Sequence, residues 1–320
     1  MNGPGLSRPY NPMEPIPLLI LGSGAMACMF AARLSSSGLP VAMVDEWQDG
    51  LKFIQINGVS LFSAQKSVHQ NLSVYYPDNP IPSCQNALVL LKSWQTSWAA
   101  GLLKSCLASD GLALTLQNGL GNDVILKKEL GEKRVGIGVT TLGATLVSPG
   151  KVNGFEDGSI TLQKSLGIEL LADIFRKAGY DIRVEMDLNG ILWGKLIINA
   201  AVNPLSAIFE IPNGFLRDNP QIFNLLEKIT AEGVLVSKSL NIKLPYTDPM
   251  VEMVKVLKTT AGNYSSMVQD MRRGAPTEID YINGAIVDFG QKTGVPTPIN
   301  QFITQMVKAK VIIKSNEAKK

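Results

Sequence analysis

The sequence predicts an α/β protein in which a doubly wound, mostly parallel sheet is followed by an all-helical domain. Two observations predict this fold. The first half alternates short apolar runs with amphipathic helical stretches, which is typical of βαβ units. After about residue 187 the strand patterns give way to helical periodicity. A length of 320 residues suits two domains. We therefore predict the first domain over residues 16–186 and the second over 187–320.

The elements of the first half are predicted in chain order. A strand over residues 16–22 is followed by a helix over 25–38 and a second strand over 40–46. The segment 53–63, "FIQINGVSLFS", contains the Asn57-Gly58 pair that is typical of a β-hairpin turn. Further strands are predicted at 86–92, 111–118 and 133–141, and the first two are uninterrupted apolar runs of the kind that a parallel sheet buries on both faces. A helix is predicted at 94–108, and an antiparallel edge from 151–154 and 159–163.

The second half shows helical periodicity with little strand character. Residues 1–15 contain four prolines and two glycines, so we predict a flexible lead-in there. The helices are predicted at 189–210, 219–240, 247–272, 277–293 and 298–314.

Composition excludes several classes of function. Charged residues make up 18% of the chain and the net charge is +3, without a basic patch interleaved with aromatic residues, so no nucleic-acid partner is expected. The three cysteines lack metal-ligand spacing, which favours a reduced, cytoplasmic protein without a metal site. The uncharged stretch 15–32 is interrupted by "GSG" and is therefore predicted as a buried strand, turn and helix, not a membrane span.

A single histidine, His69, stands in a segment predicted as a strand edge or loop, far from the motifs below. We interpret it as a surface residue. Proton-transfer chemistry in this chain therefore needs another donor, and lysine becomes the candidate.

A glycine-rich loop follows the first strand directly, and its context predicts a Rossmann-type dinucleotide-binding domain. Gly22 permits the tight turn, Gly24 lets backbone amides approach a pyrophosphate, and Ala27 allows close packing of helix on strand. Asp45 ends the second strand, where an acidic group binds ribose hydroxyls and repels a 2′-phosphate. That position favours NADH, although a nearby Arg or Lys can still capture the phosphate of NADPH. The predicted loop residues are Gly22, Ser23, Gly24, Ala25, Met26 and Ala27.

Two apolar strands end in polar side chains, Lys92 and Asn118. Ligands of open α/β sheets bind outside the carboxyl ends of the strands, so both side chains are expected at the cofactor crevice. A solvated lysine and an ordinary turn asparagine are the alternatives. The segment 140–144 follows the next strand and is a candidate for the same wall.

The segment "LWGKLIINAAVNPLSAI" places one amine and two amides on an otherwise apolar helix. Lys195, Asn199 and Asn203 are spaced four residues apart, so they lie on one stripe. A stripe that simply faces water is the ordinary alternative. We favour a ligand cleft, in which Lys195 protonates a carbonyl oxygen and the asparagines bind a hydroxyl or carboxylate.

Further polar candidates follow that helix. Asn213 comes after it, and Asn263, Ser265 and Ser266 form a second cluster of small polar residues. Glu278 stands just past "GAPT", where the alternative is a carboxylate favoured by the helix dipole.

At these residues the chain resembles the ketopantoate reductases (2-dehydropantoate 2-reductases) over about residues 17 to 315. The most specific segments are "WGKLIINAAVNPLSAIFEIPNG" and "SSMVQDMRRGAPTEIDYING", and the glycine loop, "LLKSWQT" and "QNGLG" follow in the same order. The resemblance implies hydride transfer from NAD(P)H to the C2 ketone of 2-dehydropantoate, with Lys195 as proton donor. It implies substrate contacts at Asn199, Asn203, Asn213, Asn263, Ser265 and Ser266, and cofactor contacts at Lys92, Asn118, Ala144 and Glu278.

This chain departs from the family pattern after the second strand. Many members that use NADPH carry a basic residue there, whereas this chain has Asp45-Glu46-Trp47. Two other functions stay open: reduction of another branched 2-oxo acid, and non-catalytic sensing of a dinucleotide. The sequence does not fix the oligomeric state, and the family includes homodimers.

Overall fold

The computed structural model describes residues 14–64, 67–155 and 157–317. Residues 1–13 of the predicted lead-in lie outside this part of the chain. The described chain divides into two compact units. The first consists of residues up to Leu91, Gln95–Gln117 and Asp123–Met186, and the second of Lys92–Trp94, Asn118–Asn122 and Asp187–Lys320. An N-terminal α/β Rossmann-like domain is thus followed by a helical one, as the sequence predicts.

The first unit contains two sheets. The larger has the strand order β12-β11-β8-β7-β6-β1-β2-β5 and the smaller β4-β3-β10-β9. The described strands are β1 (Ile16–Leu21), β2 (Val41–Val44), β3 (Val59–Phe62), β4 (Ser67–Gln70), β5 (Ser73–Tyr75), β6 (Cys84–Val89), β7 (Leu107–Thr115), β8 (Val135–Thr140), β9 (Gly143–Ser148), β10 (Lys151–Phe155), β11 (Ser159–Gln163) and β12 (Asp181–Glu185).

The larger sheet is parallel from β5 to β8, and β11 pairs antiparallel with β8. Its central strands are buried on both faces, because β1 and β2 carry apolar side chains at almost every position. The helices of this unit are α1 (Ala25–Ser36), α2 (Gln48–Asn57), α3 (Thr96–Cys106), α4 (Asn122–Leu130) and α5 (Ile168–Lys177).

The predicted hairpin around Asn57-Gly58 is wrong. Residues 48–57 form α2, which buries Leu51 and Ile54 one helical turn apart, and Gly58 ends the helix with φ +65°. A side chain at Gly58 would clash with the carbonyl of Gln70. Asparagine followed by glycine therefore marks a helix C-terminus here. Helix C-termini, like hairpin turns, often need a residue with positive φ, which glycine adopts without strain.

The predicted antiparallel edge is divided between the two sheets. β10 pairs antiparallel with β9 in the smaller sheet, whereas β11 pairs with β8 in the larger one. His69 lies on β4, where its exposed ring makes a 3.0 Å hydrogen bond with the hydroxyl of Ser60.

The second unit is helical and is built around its first and longest apolar helix. The helices are α6 (Asn189–Phe209), α7 (Asn213–Asp218), α8 (Pro220–Ser239), α9 (Pro249–Thr259), α10 (Ser266–Arg272), α11 (Ile279–Thr293) and α12 (Pro298–Glu317). By length and composition α6 alone among the described helices could cross a membrane, but 72% of its apolar window is buried within the fold. It is therefore the core helix of this unit.

The predicted single helix over 247–272 is wrong. The chain forms α9 and α10, which are separated by the segment 260–265. Asp248 caps α9 and Ser265 caps α10 through side-chain oxygens that accept backbone N–H groups. Apolar periodicity continues across the break, whereas the small and polar residues in "TAGNYS" end the first helix. The short helix α7 was also not predicted.

Candidate functional site

The glycine loop connects β1 to α1 in a conformation that leaves room for a ligand. Gly22 has φ +124° and donates its N–H to Val44 O at 2.8 Å, so only glycine fits this turn without strain. A Cβ atom on Gly24 would meet no atom within 4 Å. Gly24 is the N-cap residue of α1, and no side chain caps that helix end.

The third position of the loop needs a small side chain. Ala27 is fully buried, and its Cβ lies 3.4 Å from the place where a Cβ on Gly22 would stand. Ala25 and Met26 are partly buried and pack against the core of the first unit. Open space at Gly24 in front of uncapped helix N–H groups fits the diphosphate of a dinucleotide.

Asp45 follows β2 directly and holds the glycine loop. Its Oδ2 atom accepts hydrogen bonds from the Ser23 backbone N at 2.7 Å and from the Ser23 hydroxyl at 2.6 Å. Its Oδ1 atom accepts a longer bond, 3.3 Å, from the Trp47 N–H. The carboxylate is almost fully buried. The sequence predicted a ribose-binding acid here; the Ser23 contact was not anticipated.

Lys195, Asn199 and Asn203 lie on α6, surrounded by apolar side chains of the core of the second unit. Asn203 is buried, whereas Lys195 and Asn199 are partly buried. Burial lowers the pKa of Lys195 to about 8, and attraction to the Glu278 carboxylate opposes part of that shift. A lysine whose pKa lies near neutrality can both donate and accept a proton under physiological conditions.

A buried group of charges surrounds Lys92 in the second unit. The Lys92 ammonium donates to Asp270 Oδ2 at 2.7 Å and lies 3.8 Å from Glu278 Oε2. Burial would lower the pKa of Lys92, but the two carboxylates outweigh it and raise that pKa. Asp270 also accepts a 3.0 Å bond from Arg273, and burial raises the pKa of Asp270 against the pull of Lys92.

Glu278 is positioned by Ser93 and by the start of α11. Its Oε1 atom accepts hydrogen bonds from the Ser93 backbone N at 3.1 Å and from the Ser93 hydroxyl at 3.0 Å. Ser93 Oγ also lies 2.8 Å from the carbonyl oxygen of Asn118, so its single O–H is shared between that carbonyl and Glu278. The Asn122 amide donates to the same carbonyl at 3.0 Å. The structure therefore brings together Lys92, Glu278 and the backbone of Asn118.

The remaining predicted substrate contacts surround the break between α9 and α10. The Ser206 Oγ atom lies 2.6 Å from Ser265 Oγ and 3.0 Å from Asn203 O, and its single O–H is shared between these two acceptors. The Asn213 amide donates to Thr260 Oγ1 at 3.0 Å, and its backbone N donates to Asn263 O at 2.9 Å. Asn263 is exposed and Ser266 is partly buried at the start of α10.

Ala144 was predicted near the cofactor. It lies on β9, pairs with Gly154 in the smaller sheet, and packs against the core that includes α1. Three side chains of these groups escaped prediction: Asp270, Ser93 and Ser206. Asp270 looked like an ordinary polar helix residue, although the apolar neighbours Met267, Val268 and Met271 hinted at burial.

Potential metal-ligating side chains do not gather anywhere in the described ranges: His, Cys, Asp and Glu form no group of three or more. The cysteines Cys28, Cys84 and Cys106 are all buried free thiols.

Two protein-family models match the chain. Residues 18–167 match "Ketopantoate reductase PanE/ApbA", and residues 187–311 match "Ketopantoate reductase PanE/ApbA C terminal". A 2-dehydropantoate 2-reductase from Pyrococcus horikoshii is 31% identical over 301 residues, covering 92% of this chain and 97% of that protein.

Two solved structures are similar to this chain over most of its length. A D-mandelate dehydrogenase in ternary complex with NADH and anilino(oxo)acetate is 27% identical and superposes with a TM-score of 0.87. The alignment covers 93% of this chain and 99% of that one. A ketopantoate reductase family protein from Ralstonia eutropha JMP134 is 29% identical, with a TM-score of 0.86 and the same coverage of both chains.

Proposed function

The chain belongs to the ketopantoate reductase family PanE/ApbA, and we propose that it reduces the C2 ketone of 2-dehydropantoate to (R)-pantoate with a nicotinamide cofactor. Members of this family are NAD(P)-dependent reductases of 2-oxo acids. The observation that carries the proposal is Lys195, whose ammonium is held on a buried helix near Glu278 with a pKa of about 8. A cytoplasmic site of action fits the three buried free thiols.

The chain's own residues supply binding and proton transfer. A bound reduced nicotinamide supplies the hydride. The glycine loop would hold the diphosphate through the backbone N–H groups at the start of α1. Lys195 would stabilise the negative charge that develops on the ketone oxygen and then give that oxygen a proton. Glu278 would keep the amine protonated, because its negative charge raises the pKa of Lys195.

Amides and hydroxyls would bind the acid and hydroxyl groups of the substrate. Asn199 and Asn203 share the face of α6 that carries Lys195. Ser265 and Ser266 lie at the start of α10, where their hydroxyls would bind the substrate carboxylate. Asn213 keeps a buried Oδ1 atom without a hydrogen-bond partner, which fits an acceptor for a substrate hydroxyl.

A second candidate is reduction of a different 2-oxo acid, and a specific observation favours it: the structural likeness to D-mandelate dehydrogenase is as strong as that to a ketopantoate reductase. Non-catalytic sensing of a dinucleotide is less well supported, because Lys195 and Glu278 are both retained.

Cofactor oxidation, followed by absorbance with 2-dehydropantoate, phenylglyoxylate and unbranched 2-oxo acids, distinguishes these candidates. The proposal requires the largest kcat/KM with 2-dehydropantoate. A preference for phenylglyoxylate would support the second candidate, and cofactor binding without turnover of any acid would support a sensor.

The pH dependence of kcat/KM for reduction should report the pKa of Lys195. Reduction needs the protonated amine, so we expect the rate to be full at low pH and to fall as pH rises through about 8. In Glu278→Gln the fall should come at lower pH, because the carboxylate that raises the lysine pKa is gone. The measurement is the pH–rate profile of both proteins; an unmoved profile in the variant contradicts the role of Glu278. Exposed Glu227→Gln is the matched control.

The cofactor preference should favour NADH. Asp45 places a buried carboxylate at the end of β2, where a 2′-phosphate would be repelled, and the similar D-mandelate dehydrogenase was solved with NADH. We expect Asp45→Asn to raise the NADPH to NADH ratio of kcat/KM about tenfold by removing that charge. Exposed Glu46→Gln should change the ratio much less. A wild-type preference for NADPH would refute the argument from Asp45.

A further inference from the structure

Helix α6 contains a proline in its interior, Pro204. Proline has no backbone N–H, so the regular i to i−4 pattern leaves the carbonyl of Ala200 without its helical donor. Ala200 is fully buried, where water cannot replace that bond. A proline at this place makes a helix prone to bend unless another group supports it.

The missing donor is supplied by a side chain from another helix. Asn283 on α11 is fully buried, and its Nδ2 atom donates to Ala200 O at 2.8 Å. The same Nδ2 donates to Asn300 Oδ1 at 3.0 Å, so two acceptors fix the orientation of the amide. Asn283 Oδ1 has no hydrogen-bond partner. Asn283 therefore contributes to this core through its Nδ2 donor and not through its Oδ1 acceptor.

Asn300 is itself held rigidly by a buried carboxylate. Its Nδ2 atom donates to Glu232 Oε2 at 2.7 Å and to Ile229 O at 3.2 Å. Glu232 accepts the backbone N–H groups of Ile299 and Asn300, each at 2.8 Å, and so caps the start of α12. The chain of hydrogen bonds Glu232–Asn300–Asn283–Ala200 joins α8, α12, α11 and α6.

This chain of bonds ends within the functional segment of α6. Ala200 follows Asn199 directly and lies between Lys195 and Asn203 in sequence. We propose that Asn283 is a positioning residue that fixes the proline-containing segment of α6, and thereby the direction of Lys195, Asn199 and Asn203. The inference rests on the proposed function for its catalytic consequence, but its structural part does not.

Asn283→Leu tests the proposal, because leucine keeps the volume and removes the donor. We expect kcat to fall about tenfold or more, since small misplacements of catalytic groups are costly, with the KM for the cofactor unchanged. The matched control is Leu257→Ala on α9, which destabilises the same core by a cavity and lies on a helix that supplies no residue to this network. At a similar fall in Tm, the control should keep its kcat.

A second readout does not depend on turnover. The pH dependence of acylation of the Lys195 amine, followed by peptide mass spectrometry, reports its environment directly. Glu278 is the charged group that acts on this amine. We expect the midpoint in Asn283→Leu to rise by about half a unit or more, as looser packing admits water. If no 2-oxo acid is turned over, the proposed function fails, yet this titration still decides whether Asn283 positions Lys195.

Pro204→Ala provides the rescue, because alanine restores the backbone N–H that Ala200 O lacks. In the Pro204→Ala background, Asn283→Leu should lower Tm less and shift the acylation midpoint of Lys195 less than it does in the wild type. If Asn283→Leu does not fold, Asn283→Asp replaces it, and its Tm should rise as acid protonates the carboxyl into a donor. Wild-type kcat and amine midpoint in a destabilised Asn283→Leu, or strict additivity with Pro204→Ala, would overturn the proposal.

Discussion

Lys195→Met is expected to lower kcat about 10²–10⁴-fold, which is the usual contribution of a positioned proton donor. Binding of the nicotinamide cofactor, measured by fluorescence titration, should survive, because the glycine loop and Asp45 are unchanged. Near-normal turnover in this variant would remove the proposed mechanism.

The same substitution should raise Tm. The folded-state pKa of Lys195 is about 8, below its ordinary value, so burying the charged form costs stability. This destabilisation is full below pH 8, and it disappears as the pH rises from there toward the ordinary pKa that Lys195 has in the unfolded chain. The gain in Tm should therefore be larger at pH 7 than at pH 10. Lys228→Met, which replaces an exposed lysine on α8, is the control and should change neither kcat nor Tm appreciably.

Asp270→Leu is expected to destabilise the protein by roughly 3 kcal/mol, the lower end of the range for breaking a buried ion pair. Asp270 is almost fully buried and accepts the Lys92 ammonium at 2.7 Å. The lower end applies because Lys92 keeps Glu278 at 3.8 Å and is partly exposed. Chemical denaturation measures the change in the free energy of unfolding.

A double substitution separates charge from packing. Adding Lys92→Met to Asp270→Leu should recover much of the loss, since an apolar pair replaces a buried ion pair at little cost. The exposed pair Lys104–Glu129, 3.0 Å apart, provides the control: Glu129→Leu should cost about 1 kcal/mol or less. Equal losses for Asp270→Leu and Glu129→Leu would contradict the importance of burial.

Periodicity predicted most of the fold, because burial on one or two faces leaves a regular pattern in the sequence. The parallel strands β1, β6 and β7 and the long helix α6 are of this kind. The predictions from sequence were wrong where the same local pattern is compatible with two structures. Asn57-Gly58 ends a helix instead of turning a hairpin, and the apolar pattern of 247–272 hides a break between α9 and α10.

The candidate site was predictable where a residue type is unexpected in its surroundings. Lys195 on an apolar helix and Gly22 after an apolar strand are such cases. Asp270, Ser93 and Asn283 gave no comparable signal, because their roles depend on partners between 83 and 185 residues away. Pro204 implied an orphaned carbonyl at Ala200, but no local pattern indicates which distant amide supplies the donor.

The second unit is assembled from three stretches of chain, Lys92–Trp94, Asn118–Asn122 and the residues from Asp187 onward. A recombinant fragment that begins at Asp187 would therefore lack Lys92, and Glu278 would lose the two donors that Ser93 provides. In such a fragment Asp270 would lose its Lys92 partner and keep Arg273. An exchange of the helical unit between relatives, made to change substrate preference, should accordingly succeed only when Lys92–Trp94 and Asn118–Asn122 are exchanged together with it.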